Sequence, residues 1–371
     1  MRILMVIRTG YRKNPYVISL VDGLIKYGHQ VTCGLDKFWD SFAEYDLLYF
    51  QWPEAIFDWG RGQIDLERLS RHFDSIKRAG VKTVITCHNL HSHMNDGRMK
   101  GLYDLVYSNM DAFHHLGRYS YDVMKEKYPD TIHFMAPHHI ADCLWENPVD
   151  PFVAKRKLHI PKANVVVSSF GAFRNDEEIR LYVDMAKDIT SFHMTFLAPR
   201  IPMGHFYHGR HVGKTIQYLF KAFLYKIIRI KHSGFLTEEE LNDWLYASDI
   251  VMIQRKEILN SGNLPLAFSA GKVVVGPNLG NVGEILRETG NFVFDPNDRV
   301  SVKYSVLKAI EAVKKDNQLG LRNYQYAKEN WSVSKVCGLI DKELTIMFKT
   351  LECGRFRLVQ GDASAECEEY R

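Results

Sequence analysis

No Asp or Glu occurs from Ile189 to Thr237, in a chain of 371 residues whose formal net charge is only +4. The same stretch carries Arg200, Arg210, Lys214, Lys221, Lys226, Arg229 and Lys231, with five histidines. A block of one sign attracts anions, so its expected partner is phosphate, on a ligand or on a lipid surface. An apolar run of bilayer-spanning length is also missing, because the most hydrophobic helical stretch is interrupted at Lys221, Lys226 and Arg229. The opening run MRILMVI is short and leads into Arg8, which reads as a buried strand and not as a signal peptide. A cytoplasmic protein is expected, either free or peripheral on the cytoplasmic face of a membrane.

The six cysteines, Cys33, Cys87, Cys143, Cys337, Cys353 and Cys367, form no CxxC pair. That spacing excludes a zinc finger and gives no disulfide framework, so the thiols read as reduced and structural. His88, His91 and His93 are spaced by three and two, which matches no common zinc pattern; no metal and no cofactor is expected. RNA-recognition, KH, zinc-finger and helix-turn-helix patterns are absent, and nucleic acid is not an expected partner.

An apolar fraction of 46% with 25% charged residues fits a soluble globular protein, and the length fits two domains. At 100° per residue Ile216, Leu219, Phe220, Phe223, Leu224, Ile227 and Ile230 fall on one arc. Lys214, Lys221, Lys226 and Arg229 fall on the other. Such a basic amphipathic helix has two readings, an interfacial helix against anionic lipid or phosphate, and a core helix with a solvated basic face.

Short, nearly continuous apolar runs alternate with helical patterns: residues 3–7, 31–34, 47–50, 81–87, 112–115 and 131–135, then 164–170, 193–197, 250–253, 272–275 and 291–294. Strands of this kind pair in parallel with both faces covered, which predicts an α/β fold of two Rossmann-like, doubly wound domains facing a cleft. The expected boundaries are 1–145, a linker at 146–162 rich in proline, 163–330, a C-terminal helix at 331–352 and a disordered tail at 353–371. Gly10 follows the first strand, where the loop meets the crevice.

Several segments then carry a resemblance. Leu24-Ile25-Lys26-Tyr27-Gly28-His29-Gln30-Val31, Gln51-Trp52-Pro53-Glu54 and Thr86-Cys87-His88-Asn89-Leu90-His91-Ser92-His93 lie in the first half. Gly234 to Leu241, Leu245 to Val251 and Asn260-Ser261-Gly262-Asn263-Leu264-Pro265-Leu266-Ala267 lie in the second. Together they resemble GT-B glycosyltransferases, close to the retaining family 4 type of bacterial polysaccharide biosynthesis.

The resemblance implies transfer of a sugar from a nucleotide-sugar to a glycan or lipid-linked acceptor, as in capsule assembly. It implies that Arg174 neutralises the leaving diphosphate and that His88 faces the transferred sugar. Asn260, Ser261, Gly262 and Asn263 would present amide groups to the donor, with Glu257 and Gly10 beside it. An ordinary capped helix at Ser261 or Asn263, and a structural His88, are the plainer readings.

Glu54 and Asp96 are candidate carboxylates for the acceptor hydroxyl, and Trp52 and Trp59 are candidates to stack on a sugar. Two departures stand out. Asp176, Glu177 and Glu178 occupy the region where the family has a lysine, and the second glutamate of the E-x7-E pattern falls at about Leu266. Arg200 or Lys214 would then supply the missing phosphate contact. A non-catalytic subunit of the same fold and a sugar-nucleotide epimerase are the alternatives.

Overall fold

The computed structural model describes residues 1–8, 14–60, 63–92, 97–140, 148–203, 212–315 and 318–360. The N-terminal lobe is built on β1 (Arg2–Val6), β2 (Gln30–Cys33), β3 (Leu47–Phe50), β4 (Lys82–Thr86), β5 (Ala112–His115) and β6 (Ile132–Met135). They form one parallel sheet in the order β2-β1-β3-β4-β5-β6. The C-terminal lobe uses β7 (Val165–Ser168), β8 (Met194–Leu197), β9 (Ile230–Lys231), β10 (Ile250–Met252), β11 (Val273–Pro277) and β12 (Phe292–Phe294). Their order is β12-β11-β10-β7-β8-β9, again parallel. Both lobes are therefore doubly wound, as the alternation of strand and helix predicts.

The apolar strands make sense once the two faces are followed. Along the first sheet Leu4, Val6, Leu48, Phe50 and Ile85 enter one buried cluster. Their neighbours Ile3, Met5, Leu47, Tyr49 and Val84 enter another on the opposite face. Successive side chains of a strand point to opposite faces, so a sheet covered twice needs apolar residues at every position. The second cluster is closed by the helix Pro15–Lys26 and by the C-terminal helix Val333–Gln360, through Val17, Leu20, Leu24, Val336, Cys337 and Ile340. Tyr27 Oη donates to the carbonyl of Ser334 at 2.9 Å, and His29 Nε2 lies 2.9 Å from Asp341 Oδ1. The last helix thus returns to the first lobe.

Three stretches differ from the sequence reading. Residues 151–157, expected within a linker, form the helix Pro151–Lys157, with Asp150 Oδ1 accepting from the amides of Phe152 and Val153. An acidic cap followed by proline at the first helical position is a helix start, and the proline count concealed it. The last helix runs to Gln360, past Cys353 where a tail was expected; residues 361–371 lie outside the described residues. Ile230, placed on the basic helix by periodicity, belongs instead to edge strand β9, and the helix ends at Ile227.

The lobes meet along one side of the cleft. The helix Gly280–Glu288 packs against Arg118–Lys127, and Glu284 Oε2 accepts from the amide of Tyr119 at 2.7 Å. Leu259 of the second lobe is buried within the first lobe's cluster. Gly280 has φ +55, and a Cβ there would lie 2.6 Å from the carbonyl of Ile258 and 2.8 Å from Leu259 Cα. Gly280→Ala is expected to lower stability by about 2 kcal/mol or more. At Gly290, with φ +69 and open space, the same change should cost about 1 kcal/mol. Equal urea midpoints for the two variants would contradict this packing.

Candidate functional site

In the second sheet the chain leaves β7 toward β8 on one side and β10 toward β11 on the other, so a crevice opens at the carboxyl ends of this adjacent pair. After β7 come Ser169, Phe170, Gly171, Ala172, Phe173 and Arg174, and Asn175 Oδ1 caps the helix Asp176–Ile189. After β10 come Gln254 and Arg255. Gln254 is fully buried; its Oε1 accepts from Ser169 Oγ, and its Nε2 donates to the carbonyl of Gly171 at 3.3 Å. Arg255 Nη1 donates to the carbonyl of Ala172 at 2.7 Å and pairs with Glu178. Glu178, 2% exposed, also accepts from the amide of Arg174 at 2.8 Å.

Glu178 does not face the crevice as a bare charge; it is turned inward and neutralised by Arg255. Arg255 is thus a second guanidinium beside Arg174, in the place for which the sequence reading had offered Arg200 or Lys214. Arg200 lies close enough to repel Arg255 and rests 4.4 Å over the ring of Phe235, while the Lys214 side chain lies outside the described residues. Arg174 is exposed; burial of its head group and the neighbouring Arg255 push its guanidinium down from the usual value, while Glu178 and Glu257 oppose this. Glu257 is itself exposed.

Gly171 shows what the crevice is shaped for. A Cβ built on it would meet Arg255 Nη2 at 2.9 Å, Asn263 Nδ2 at 3.1 Å and Gln254 Nε2 at 3.5 Å. Three nitrogens, all from the connection between β10 and the helix Asn263–Ser269, converge on the place where any other residue would put a side chain. Carboxylate and phosphate oxygens are the groups that satisfy such a set.

The Asn260–Asn263 loop divides its labour differently from the sequence expectation. The Asn260 side chain spans the lobes: its Nδ2 donates to the carbonyls of Cys87 and His88, both at 3.1 Å, and its Oδ1 accepts from Asn281 Nδ2 at 2.8 Å. Asn281 Oδ1 in turn accepts from the amide of Ser120 at 3.0 Å, completing a bridge between the lobes. Ser261 Oγ accepts from the amide of Asn263 at 3.3 Å, as a capping residue would. The following helix, Asn263–Ser269, is short, so the side chain of Asn263 and not a helix dipole is what the loop brings to the crevice. Gly262 faces His138, whose Nε2 lies 3.9 Å from the position of a Cβ there.

Across the gap, a row of rings lines the ends of β3, β4 and β6. Trp59 lies 5.8 Å from Trp52, Trp52 stacks on His88 at 4.4 Å, His88 meets Tyr16 at 5.2 Å, and Tyr16 stacks on His139 at 4.4 Å. Asp58 and Trp59 both have positive φ, 50° and 60°, and Arg8 Nη1 pairs with Asp58 Oδ1 at 2.8 Å. Consecutive left-handed residues with side chains are strained, and the clasp holds Trp59 in the row.

His88 Nε2 lies 3.0 Å from Gln51 Oε1, while Gln51 Nε2 donates to Met5 Sδ at 3.4 Å. That arrangement protonates Nε2 of His88 and leaves Nδ1 as an acceptor. His138 and His139 were missed in the sequence; the signal was a His-His pair directly after an apolar strand, beyond Pro137.

Glu54, expected near an acceptor, is 4% exposed and accepts from Tyr103 Oη at 2.7 Å. Burial raises its pKa, and it packs against the helix Gly97–Tyr107 through Tyr103. Gly10, His93 and Asp96 lie outside the described residues. Among the described residues no three His, Cys, Asp or Glu gather in metal-binding positions.

No family model and no curated protein matches the chain. Solved structures do. HepE from Anabaena in complex with UDP-glucose superposes with a TM-score of 0.70 at 14% identity, over 93% of this chain and 99% of that one. Sucrose-phosphate synthase from Thermosynechococcus elongatus gives 0.70 at 12% identity, over 94% and 100%. UDP-GlcNAc 2-epimerase from Neisseria meningitidis bound to UDP-GlcNAc gives 0.55 at 11%, over 93% and 100%. The protein has the GT-B fold. At these identities the likeness fixes the architecture, which transferases and epimerases share.

Burial holds the cleft histidines and His114 of β5 beneath them neutral: His114 and His138 are pushed down to about 4, His139 to about 3, and His88 well below its usual value. The unfolded chain binds protons below about 6.5, where the folded chain does not, so stability is full above that pH and falls as pH drops from 6.5 toward 4. The melting temperature should decline steadily between pH 7 and pH 5, and His138→Asn should flatten that decline. A melting temperature constant over this range would contradict the buried neutral row.

Proposed function

We propose that the protein is a nucleotide-sugar-dependent glycosyltransferase whose donor lies across the β7–β10 crevice. The observation that carries this reading is the convergence of Arg255, Asn263 and Gln254 nitrogens on Gly171, with Arg174 beside them. A sugar nucleotide is held by its pyrophosphate, and the charge on that group grows as the glycosyl bond breaks. Fixed cations and amide donors act more strongly on the departing diphosphate than on the bound donor, which lowers the barrier. His88, facing the crevice from the other lobe with Nδ1 free to accept, suits a hydroxyl of the transferred sugar.

The row from Trp59 to His139 offers flat apolar faces to an acceptor saccharide. Retention of configuration is the favoured course for hexosyl transfer. Inversion, which needs a general base at the acceptor, is the alternative course. The acceptor is proposed to be a glycan or lipid-linked saccharide of cell-surface polysaccharide assembly, such as capsule, as the sequence resemblance implies.

Calorimetric titration with UDP, GDP, ADP and CMP tests the donor site. One nucleotide should bind, and Arg174→Ala or Arg255→Ala should weaken it about tenfold or more, the worth of one charge-assisted hydrogen bond. Binding left intact in both variants would refute the clamp. Incubation with the matching nucleotide-sugar then separates the chemistries: new product from donor alone would mark an epimerase, and no turnover with any acceptor would mark a binding subunit.

Gly171→Ala isolates the crevice. The new methyl group presses on the ends of the Arg255 and Asn263 side chains, not on backbone, so nucleotide affinity should fall about tenfold while the loss of stability stays below that of Arg255→Ala. Unchanged affinity with unchanged melting would place the ligand elsewhere.

A further inference from the structure

The helix Val212–Ile227 joins β8 to edge strand β9. It is attached through Tyr225, with Ile228 just beyond its end and Leu224 partly buried against the same core cluster. Periodicity placed Leu224 and Ile230 on one arc with the other large residues, but these two turn inward. The rest of the arc does not. Ile216, Leu219, Phe220, Phe223 and Ile227 are between 54% and 64% exposed, at spacings of three, one, three and four, which makes one stripe along the helix. Five large apolar side chains on one outward face form a contiguous patch of the kind that marks an interaction surface.

The surroundings of the stripe are cationic. Lys226 is exposed and Lys221 half-buried on the same helix, and Arg229 follows its end. Arg229 Nη1 donates to the carbonyl of Phe192 at 2.9 Å, and its guanidinium lies 5.3 Å over the ring of Phe192, itself 83% exposed. The acid-free block from Ile189 to Thr237 means that no carboxylate of this segment offsets these charges.

We propose that this face docks on an anionic lipid bilayer, with the stripe among the outer acyl carbons and Lys226, at the edge of the stripe, together with Arg229 at the headgroup phosphates. The charge pattern selects that occupant. A second copy related by a two-fold axis would bring the same cations together, whereas anionic headgroups complement them. The helix is amphipathic in the interfacial sense, and no helix of the described residues is long and apolar enough to cross a membrane. This inference deepens the proposed use of a lipid-linked acceptor, and its test needs no donor.

The full chain would be sedimented with vesicles of phosphatidylcholine alone and of phosphatidylcholine mixed with phosphatidylglycerol. Binding is expected on the mixed vesicles, about tenfold or more tighter than on the neutral ones and weakened by salt. Phe220→Ser combined with Phe223→Ser should abolish it, and Lys226→Glu should reduce it about tenfold. Nucleotide titration of the same variants should match the wild type, which shows that they are folded and separates this outcome from the donor reading. Wild-type protein left in the supernatant, or variants that bind as well as it does, would overturn the proposal. So would a solution dimer that the serine pair splits into monomers.

Discussion

The pair between Arg255 and Glu178 is the interaction on which the crevice depends. Their side chains are only 11% and 2% exposed, so neither charge has water to fall back on. A buried pair is stable only when its remaining valences are met, and here the carbonyl of Ala172 and the amide of Arg174 meet them. The pair thereby stitches the loop after β7 to the loop after β10. It fixes Arg255 with Nη1 turned inward and Nη2 turned toward Gly171. Removing one partner would strand the other, at about 3–5 kcal/mol by the usual cost of an uncompensated buried charge.

The two lobes are joined with the same economy of polar groups. Asn260 and Asn281 link the carbonyls of Cys87 and His88 to Ser120, so the strand end that carries His88 is tied to the loop that carries Asn263. The amide-rich loop serves the relative position of the lobes through Asn260 and the crevice through Asn263. One short segment therefore couples the cationic side of the cleft to its aromatic side. The GT-B architecture supplies the two crevices; these side chains decide how they face each other.

Much of the fold was legible because a doubly covered sheet demands apolar residues at successive positions, and runs such as Leu47–Phe50 and Val165–Val167 meet that demand without ambiguity. Arg174 and His88 were singled out through the family resemblance, His88 standing two residues after β4 and Arg174 six after β7. Arg255 was not. It lies far from Arg174 in the chain, and only the parallel pairing of β7 with β10 makes them neighbours. The inward turn of Glu178 was not legible either, because a one-dimensional pattern does not say which face of the first helical turn is inward. The periodicity of the basic helix found the apolar arc but not its orientation, because only the packing of Tyr225 and Ile228 decides which side meets the core.

The central claim is that the slot beside Gly171 is a diphosphate site. A crystal structure with the nucleoside diphosphate that binds best in calorimetry tests it most directly. The account predicts a phosphate oxygen in that slot, within about 3 Å of Arg255 and Asn263 nitrogens and beside the Arg174 guanidinium. A nucleotide whose phosphates lie elsewhere, with the slot holding only water, would contradict it.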